Sequence, residues 1–229
     1  MNYFVTGTDT GVGKTLISCA LLYAFAAQGK SVAGMKPVAA GWEDDELNDD
    51  VKQLRAATNI FASLGQINPY SFMYPIAPHI AAHNSGVSIN FERILESYHE
   101  LAAKADVVVV EGVGGFMVPL NETQSSADLA QELALPVILV IGMKLGCINH
   151  ALLTQNAISH YGLKFAGWVA NILDADMAAL DENIQALQQR LKAPLLGVVQ
   201  YQSPAESRAI ASQIDIALLT ETNKDQCPP

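Results

Sequence analysis

Residues 7–15, Gly7-Thr8-Asp9-Thr10-Gly11-Val12-Gly13-Lys14-Thr15, constrain this chain more than any other stretch. An apolar run, Tyr3-Phe4-Val5, leads into them, and an apolar-periodic segment opens at Leu16. Strand, glycine loop, helix is the order in which backbone N–H groups can turn inward while a helix dipole adds its positive end. Lys14 supplies a mobile point charge for outer phosphates, and Thr15 a hydroxyl for the magnesium that travels with them. The spacing is a variant of G-x-x-x-x-G-K-[ST]: Thr8 stands where the first glycine belongs, and Gly7 comes one residue early. The stretch predicts a nucleoside triphosphate site, with the rest of the chain arranged around it.

The 229 residues suffice for one large α/β domain, and half of them are hydrophobic, so a substantial core can form. The formal net charge is -10. Such a chain has no general attraction for nucleic acid or an anionic membrane, so neither is expected as a partner. Positive charge for phosphate must come from a few placed lysines and a helix terminus. Cys19, Cys147 and Cys227 are few and lack metal spacing, which argues against a disulfide framework or a zinc site. The N-terminus runs straight into a strand without a basic leader, and no apolar run reaches membrane-spanning length. The expected setting is soluble, reducing and cytoplasmic.

In chain order, the pattern predicts a helix over 14–27 stopped by Gly29, a strand over 31–36 ended by Pro37, and a loop of small residues, Val38 to Gly41. The acidic run Glu43-Asp44-Asp45-Glu46 precedes a helix over 51–57. Residues 59–90 are irregular and proline-rich, an insertion long enough to suggest a function. Phe91, Ile94, Leu95, Tyr98 and Leu101 share one face of a helix over 91–104. Val107-Val108-Val109-Val110 reads as a strand buried on both sides, the mark of a parallel sheet. Helices over 126–133, 148–160, 177–191 and 204–213 then alternate with strands over 136–141, 165–171 and 195–199. A small terminal strand is expected over 216–219, and a frayed polar tail over 220–229. The fold class is a single-domain, doubly wound, mainly parallel α/β sheet, in which ligands bind at the carboxyl ends of the strands.

Polar groups collect at those ends. Glu111 closes the four-valine run; a desolvated carboxylate there wants a cation, and magnesium on a triphosphate is suitable, although capping of a neighbouring helix is the plainer alternative. Asp49 or Asp50 can complete the ion's shell, or both can be solvated surface. Lys36 closes a buried strand before a proline and can face the γ-phosphate or an anionic substrate, or else snorkel to water. Asn171-Ile172-Leu173-Asp174 resembles a guanine signature without its lysine, and a lone asparagine can bond the edge of adenine, which favours ATP over GTP. Gly146 to Asn149 opens a helix whose free N–H groups can hold a carboxylate. The five histidines show no metal spacing, and no nucleophile elbow is present.

These stretches together resemble the dethiobiotin synthetase family. The resemblance is carried by residues 3–15, Lys36-Pro37-Val38-Ala39, Asn68-Pro69-Tyr70, Pro78-His79, Val110 to Gly115, Ala166 to Asn171 and Ala193 to Gly197. Lys144-Leu145-Gly146-Cys147-Ile148-Asn149-His150, which has no generic phosphate-loop meaning, makes it specific. It covers residues 1–219 as one domain. It implies that ATP and Mg2+ are used to carboxylate 7,8-diaminononanoate with CO2 and to close the cyclic urea, through a carbamate and a carbamic-phosphoric anhydride. Lys14 and Lys36 would be catalytic. ATP would be held by Gly11, Val12, Gly13, Lys14, Thr15 and Leu16, by Asp50, by Glu111, Gly112, Val113 and Gly114, by Asn171 at adenine, and by Gln200, Tyr201, Gln202 and Glu206 near base and ribose. Thr15, Asp50 and Glu111 would hold the metal. Thr10, Lys36 and Ala40 would meet the diamine. The family is homodimeric, and Leu145, Gly146, Cys147, Ile148 and Asn149 would receive the carboxylate tail of substrate bound to the other subunit.

Three positions depart from the family pattern: Ala40 where serine is frequent, Gln200-Tyr201-Gln202 where a Pro-aromatic turn is frequent, and Gly11 where a larger polar residue is frequent. The competing function is a phosphate-loop ATPase switch of the partition or septum-placement type. That class carries an extra lysine early in the loop, where this chain has Thr8 and Asp9.

Overall fold

The computed structural model describes residues 1–42, 47–202 and 206–221 of the chain. The acidic run 43–46, the expected helix start at Pro204 and most of the expected tail lie outside them.

The first half of the chain comprises β1 (Asn2–Gly7), α1 (Lys14–Ala27), β2 (Val32–Met35), β3 (Val38–Ala40), α2 (Asp49–Ala57), α3 (Leu64–Ile67), β4 (Tyr70–Phe72), α4 (Pro78–Asn84) and α5 (Phe91–Ala102). The second half comprises β5 (Val107–Glu111), α6 (Ser126–Leu133), β6 (Val137–Met143), α7 (Cys147–His160), β7 (Phe165–Ile172), α8 (Leu180–Arg190), β8 (Leu195–Val199), α9 (Ser207–Ile210), a 3-10 turn and α10 (Ala217–Glu221). Among the described residues the main sheet has the strand order β2-β5-β1-β6-β7-β8, with every pair parallel.

β1 lies in the middle of the sheet, and the chain crosses from one side of it to the other between β5 and β6. The loop after β1 therefore opens at the topological switch point, where this class of sheet leaves a crevice. Alternation along the strands fills both faces. Val5, Val107, Val109, Ile138 and Val140 pack with Ile17, Leu21 and Phe25 of α1 and with Leu54 of α2 on one side. Phe4, Val108 and Val110 meet Ile94 and Leu101 of α5 and Leu129 and Leu133 of α6 on the other, while Leu139, Ile141 and Trp168 pack under α7 and α8. Burial on both faces explains the uninterrupted valines of β5.

Three expectations need correction. Val38 to Ala40 is not loop but strand β3, paired in parallel with β4 as a small second sheet. β2 does end before Pro37, as expected, but Asn68 then receives the chain: its side-chain amide donates to the carbonyls of Lys36 (2.7 Å) and Tyr70 (2.9 Å) and splices the two sheets. No strand forms over 216–219: Ile216 is a turn residue and helix α10 runs over Ala217–Glu221. Asp215 Oδ1 accepts the backbone N–H of Ala217 at 3.0 Å and starts the helix, and Ile216 before it and Leu219 within it are both buried. The helix expected from Met177 begins only at Leu180, because Ala179 sits in the left-handed region (φ 54) and Asp174 draws in the N–H of Asp176.

Candidate active site

The loop between β1 and α1 takes two left-handed turns, at Gly11 (φ 74) and Gly13 (φ 89), where a side chain would be strained. Gly13 is constrained further, because a Cβ there would collide with the Asn171 amide. Asn171, near the end of β7, donates from Nδ2 to the Val12 carbonyl at 2.9 Å and is buried. Lys14 folds back over the loop and donates to the Asp9 carbonyl at 3.0 Å. The Asp9 carboxylate pairs with Lys144 Nζ at 3.0 Å and accepts the Thr10 N–H at 2.8 Å. The Lys144 hydrogen bond, ahead of the one from Thr10, holds that carboxyl below its usual range.

Sheet register assembles the charged cluster. Val5 pairs with Glu111, and Met35 pairs with Val110, so Lys36 emerges beside Glu111. Lys36 Nζ donates to Glu111 Oε1 at 2.5 Å, to Asp50 Oδ2 at 2.9 Å and to the Gly112 carbonyl at 3.2 Å. Thr15 Oγ1, in the first turn of α1, donates to the same Glu111 oxygen at 2.9 Å. Asp50 comes from the first turn of α2, whose cap is Asn48. Asn48 Oδ1 accepts the Asp50 N–H at 3.0 Å, and its side-chain amide nitrogen donates to Gly41 O (2.6 Å) and Ala40 O (3.3 Å). Of the two aspartates, Asp50 joins the cluster. Asp49 points outward, its side chain 87% exposed, and pairs with Lys52.

Burial lowers the Lys14 ammonium to about 8, and the nearby Lys36 charge adds to the effect. Burial also works against a charged Lys36, but the charges of Glu111 and Asp50 and their hydrogen bonds outweigh it and leave the group above its usual value. For Asp50 burial pushes upward, and the Lys36 charge and hydrogen bonds reverse it to a net lowering. Buried ion pairs contribute little net stability compared with packed apolar side chains, so this cluster is poorly explained by fold stability alone.

Glu111 is fully buried, and its Oε2 has no hydrogen-bond partner among the described residues. An orphaned carboxylate oxygen beside a threonine hydroxyl and a second carboxylate fits a magnesium ion, which prefers oxygen ligands and completes its shell with water and phosphate. No group of three or more His, Cys, Asp or Glu that could hold a metal occurs among the described residues, so phosphate oxygens would have to share in binding one.

A cavity of about 510 Å³ covers the loop and is lined by Thr10, Gly11, Gly13, Lys14, Thr15, Leu16, Lys36, Ala40, Asp50, Glu111, Val113 and Gly114. A neighbouring cavity of about 290 Å³ shares Gly13 and Leu16 and adds Asn171, Val199, Gln200, Tyr201, Gln202 and Ile210. Val12 and Gly112 enter through their carbonyls rather than as walls. Glu206 is exposed at the start of α9 and lines neither cavity. Leu145, Gly146, Cys147, Ile148 and Asn149 also line neither. Gly146 (φ 92) caps α7, Leu145 is 98% exposed, and Cys147 is buried with its N–H committed to the Lys144 carbonyl at 3.0 Å. A carboxylate arriving at this turn would therefore have the N–H groups beyond Cys147 to bond. A larger cavity of about 760 Å³, beside α4, contains none of the loop or cluster residues.

Asn48 and Gln53 carry no role in the sequence reading, and Asn68 enters there only through the Asn68-Pro69-Tyr70 resemblance. Asn48 and Gln53 line the loop cavity, and Asn68 fixes the backbone of Lys36. Asn48 had a readable signal, since asparagine immediately before an acidic first turn is a favoured helix cap.

A parallel sheet with a phosphate loop at its switch point, and two lysines beside paired carboxylates, defines the P-loop nucleotide-binding class. The family model described as an AAA domain matches residues 1–209. Curated relatives named ATP-dependent dethiobiotin synthetase BioD are 55% identical in Nitrosospira multiformis (94% of this chain, 95% of that protein) and 53% identical in Aromatoleum aromaticum (93% and 96%). The chain belongs to the dethiobiotin synthetase family. Solved structures with the same fold include the MinC:MinD cell division protein complex of Aquifex aeolicus (TM-score 0.57, 14% identity, 100% of this chain and 97% of that one). Another is a ParA family ATPase from Chlorobium tepidum (TM-score 0.53, 13% identity, 96% of each chain). At such identities they bear on the fold alone.

Proposed function

We propose that the protein is the ligase that forms dethiobiotin in biotin biosynthesis, converting 7,8-diaminononanoate, CO2 and ATP into the cyclic urea, ADP and phosphate. The observation that carries this reading is the pairing of Lys36 with Glu111 and Asp50 beside a phosphate loop, in a chain 55% identical to a relative of that name. One amine takes up CO2 and loses a proton, leaving a carbamate. A carbamate oxygen attacks the terminal phosphorus, and the bond to ADP breaks. The second amine attacks the activated carbon, phosphate leaves, the nitrogen gives up a proton to phosphate or water, and the ring closes. Neither transfer needs a protein nucleophile; the first needs two anions held together, and the second needs charge on the departing phosphate offset.

Lys14 and Lys36 are the cations for that task. Thr15, Asp50 and Glu111 would hold magnesium, which when bound neutralises charge on the transferring phosphoryl group. Asn171, Gln200, Tyr201 and Gln202 would surround the base, with Glu206 near the ribose. Thr10 and Ala40 would face the diamine. We assign the catalytic unit to residues 1–219 and the working form to a homodimer in the cytoplasm. The exposed Leu145 and Leu153 on and beside the α7 turn support a subunit contact there, which would bring Gly146 to Asn149 to the substrate tail of the other copy. Among the described residues no helix is long and apolar enough to cross a membrane.

The test is to incubate purified protein with diaminononanoate, bicarbonate, magnesium and ATP. The expected result is cyclic urea and ADP in equal amounts. ADP release that ignores the diamine would overturn the assignment in favour of an ATPase switch.

A further inference from the structure

We infer that Lys36 and a divalent cation compete for one carboxylate pair: the Lys36 ammonium bonds Glu111 Oε1 and Asp50 Oδ2, so binding of the ion to that pair displaces it. The inference rests on the reading of Thr15, Asp50 and Glu111 as the ion's ligands.

An ammonium has three protons, and here three acceptors take them: Glu111 Oε1, Asp50 Oδ2 and the Gly112 carbonyl, at 2.5, 2.9 and 3.2 Å. Lys36 is therefore fully satisfied where it stands, in a cradle whose carboxylates come from α2 and β5. Thr15 faces the same oxygen of Glu111 and spends its hydroxyl proton on it at 2.9 Å. The Thr15 oxygen keeps its lone pairs for a metal while it donates, so the competition falls on Glu111 Oε1, which accepts from both Lys36 and Thr15.

Charge leads to the same conclusion. Asp50 and Glu111 carry two negative charges when ionised, and Lys14 and Lys36 bring two positive ones. A divalent ion added without nucleotide would meet a neutral cluster, with an ammonium already on the oxygens it needs and Glu111 sealed from water. A triphosphate reverses the balance. Lys36 lines the same 510 Å³ cavity as Lys14 and Thr15, and its flexible stem can carry the ammonium toward phosphate while the carboxylates pass to the metal. Glu111 Oε2, buried and unpartnered, is the second oxygen this carboxylate can offer the ion once the ammonium has moved off Oε1. Metal and nucleotide then enter as one unit, and the lysine's release from the carboxylates also delivers it to the reacting groups.

The test uses Mn2+ as the probe, with free ion measured by electron paramagnetic resonance. Nucleotide-free wild type is compared with Lys36→Met and with Lys36→Met/Asp50→Asn. Lys36→Met is expected to bind Mn2+ at least about tenfold more tightly than wild type, a floor well below what Coulomb's law gives for a unit charge about 3 Å away at an effective dielectric of about 20. The double variant should lose that gain. Equal or weaker binding by Lys36→Met overturns the exchange and leaves the ligand assignment standing. No Mn2+ binding by wild type even with a non-hydrolysable ATP analogue overturns the ligand assignment and the exchange with it. Should Lys36→Met fail to fold, a crystal structure of wild type with Mg2+ and the analogue decides. Lys36 Nζ beyond hydrogen-bond distance of Glu111 Oε1 supports the exchange, and an ammonium still bonded there beside a bound ion overturns it.

Discussion

Asn171 on β7 holds the carbonyl of Val12, in the loop after β1, at 2.9 Å. The side chain expected to read adenine thus also shapes the backbone that cradles phosphate. Asn171→Ala should therefore weaken ATP and inorganic triphosphate alike, by about 1–3 kcal/mol, because a buried loop carbonyl loses its donor. Calorimetric titration with both ligands checks this. A loss confined to ATP would mean that the residue serves the base alone.

Glu111→Gln leaves Lys36 buried without its nearest counter-charge. Breaking a buried pair from one side costs about 3–5 kcal/mol, so the urea midpoint should fall by a corresponding amount and dethiobiotin formation should cease. A variant of undiminished stability would show that solvent reaches the cluster.

Lys36→Ala should bind ATP nearly as well as wild type and form no product, since Lys14 and the loop remain. Equilibrium binding and product assays separate the two effects. Unchanged turnover would remove Lys36 from the mechanism.

Lys14 sets a pH dependence. With its ammonium lowered to about 8 from 10.5, chiefly by burial, the empty site holds a partly neutral lysine above that pH. A bound triphosphate restores the charge, so nucleotide binding should take up a proton, increasingly as pH rises through about 8. Titrations in buffers of different ionisation enthalpy measure the uptake. The stability terms differ in sign. Between about 8 and 10.5 the unfolded state binds more protons at Lys14, so this contribution rises with pH. The contribution of Lys36, whose value is raised, is present below 10.5 and fades as pH climbs beyond it. That of Asp50, whose value is lowered, is present above 3.8 and fades as pH falls.

Asn48→Ser keeps a cap for α2 but loses the amide that holds the Ala40 and Gly41 carbonyls; Asn48→Ala loses both. The alanine variant should be less stable than the serine variant by about 1 kcal/mol, while KM for the diamine rises in both. Recovery of KM by serine would reduce Asn48 to a helix cap.

The sequence made the site legible where one local pattern carried it. The glycine loop, the four valines ending in Glu111 and the lysine before Pro37 each announce a strand end, and the sheet brings them together. It was less informative where partners are distant in sequence. Nothing local says that Val38 to Ala40 pairs with Tyr70 to Phe72, since both segments are short and flanked by proline. Asp49 and Asp50 are chemically identical, and only the phase of α2, fixed by Asn48, turns one inward. The helix at 217–221 depends on Asp215 and on buried spacing that a short apolar run shares with a strand.

The pairing of Met35 with Val110 has a consequence for how the chain finds its native state. A slip of one residue between β2 and β5 would strand Lys36 and Glu111 on opposite sides of the sheet, each a lone charge sealed in hydrocarbon. The reactive cluster is thus also a checkpoint on assembly, since a chain that has mispaired these strands lacks both a working centre and a tolerable interior.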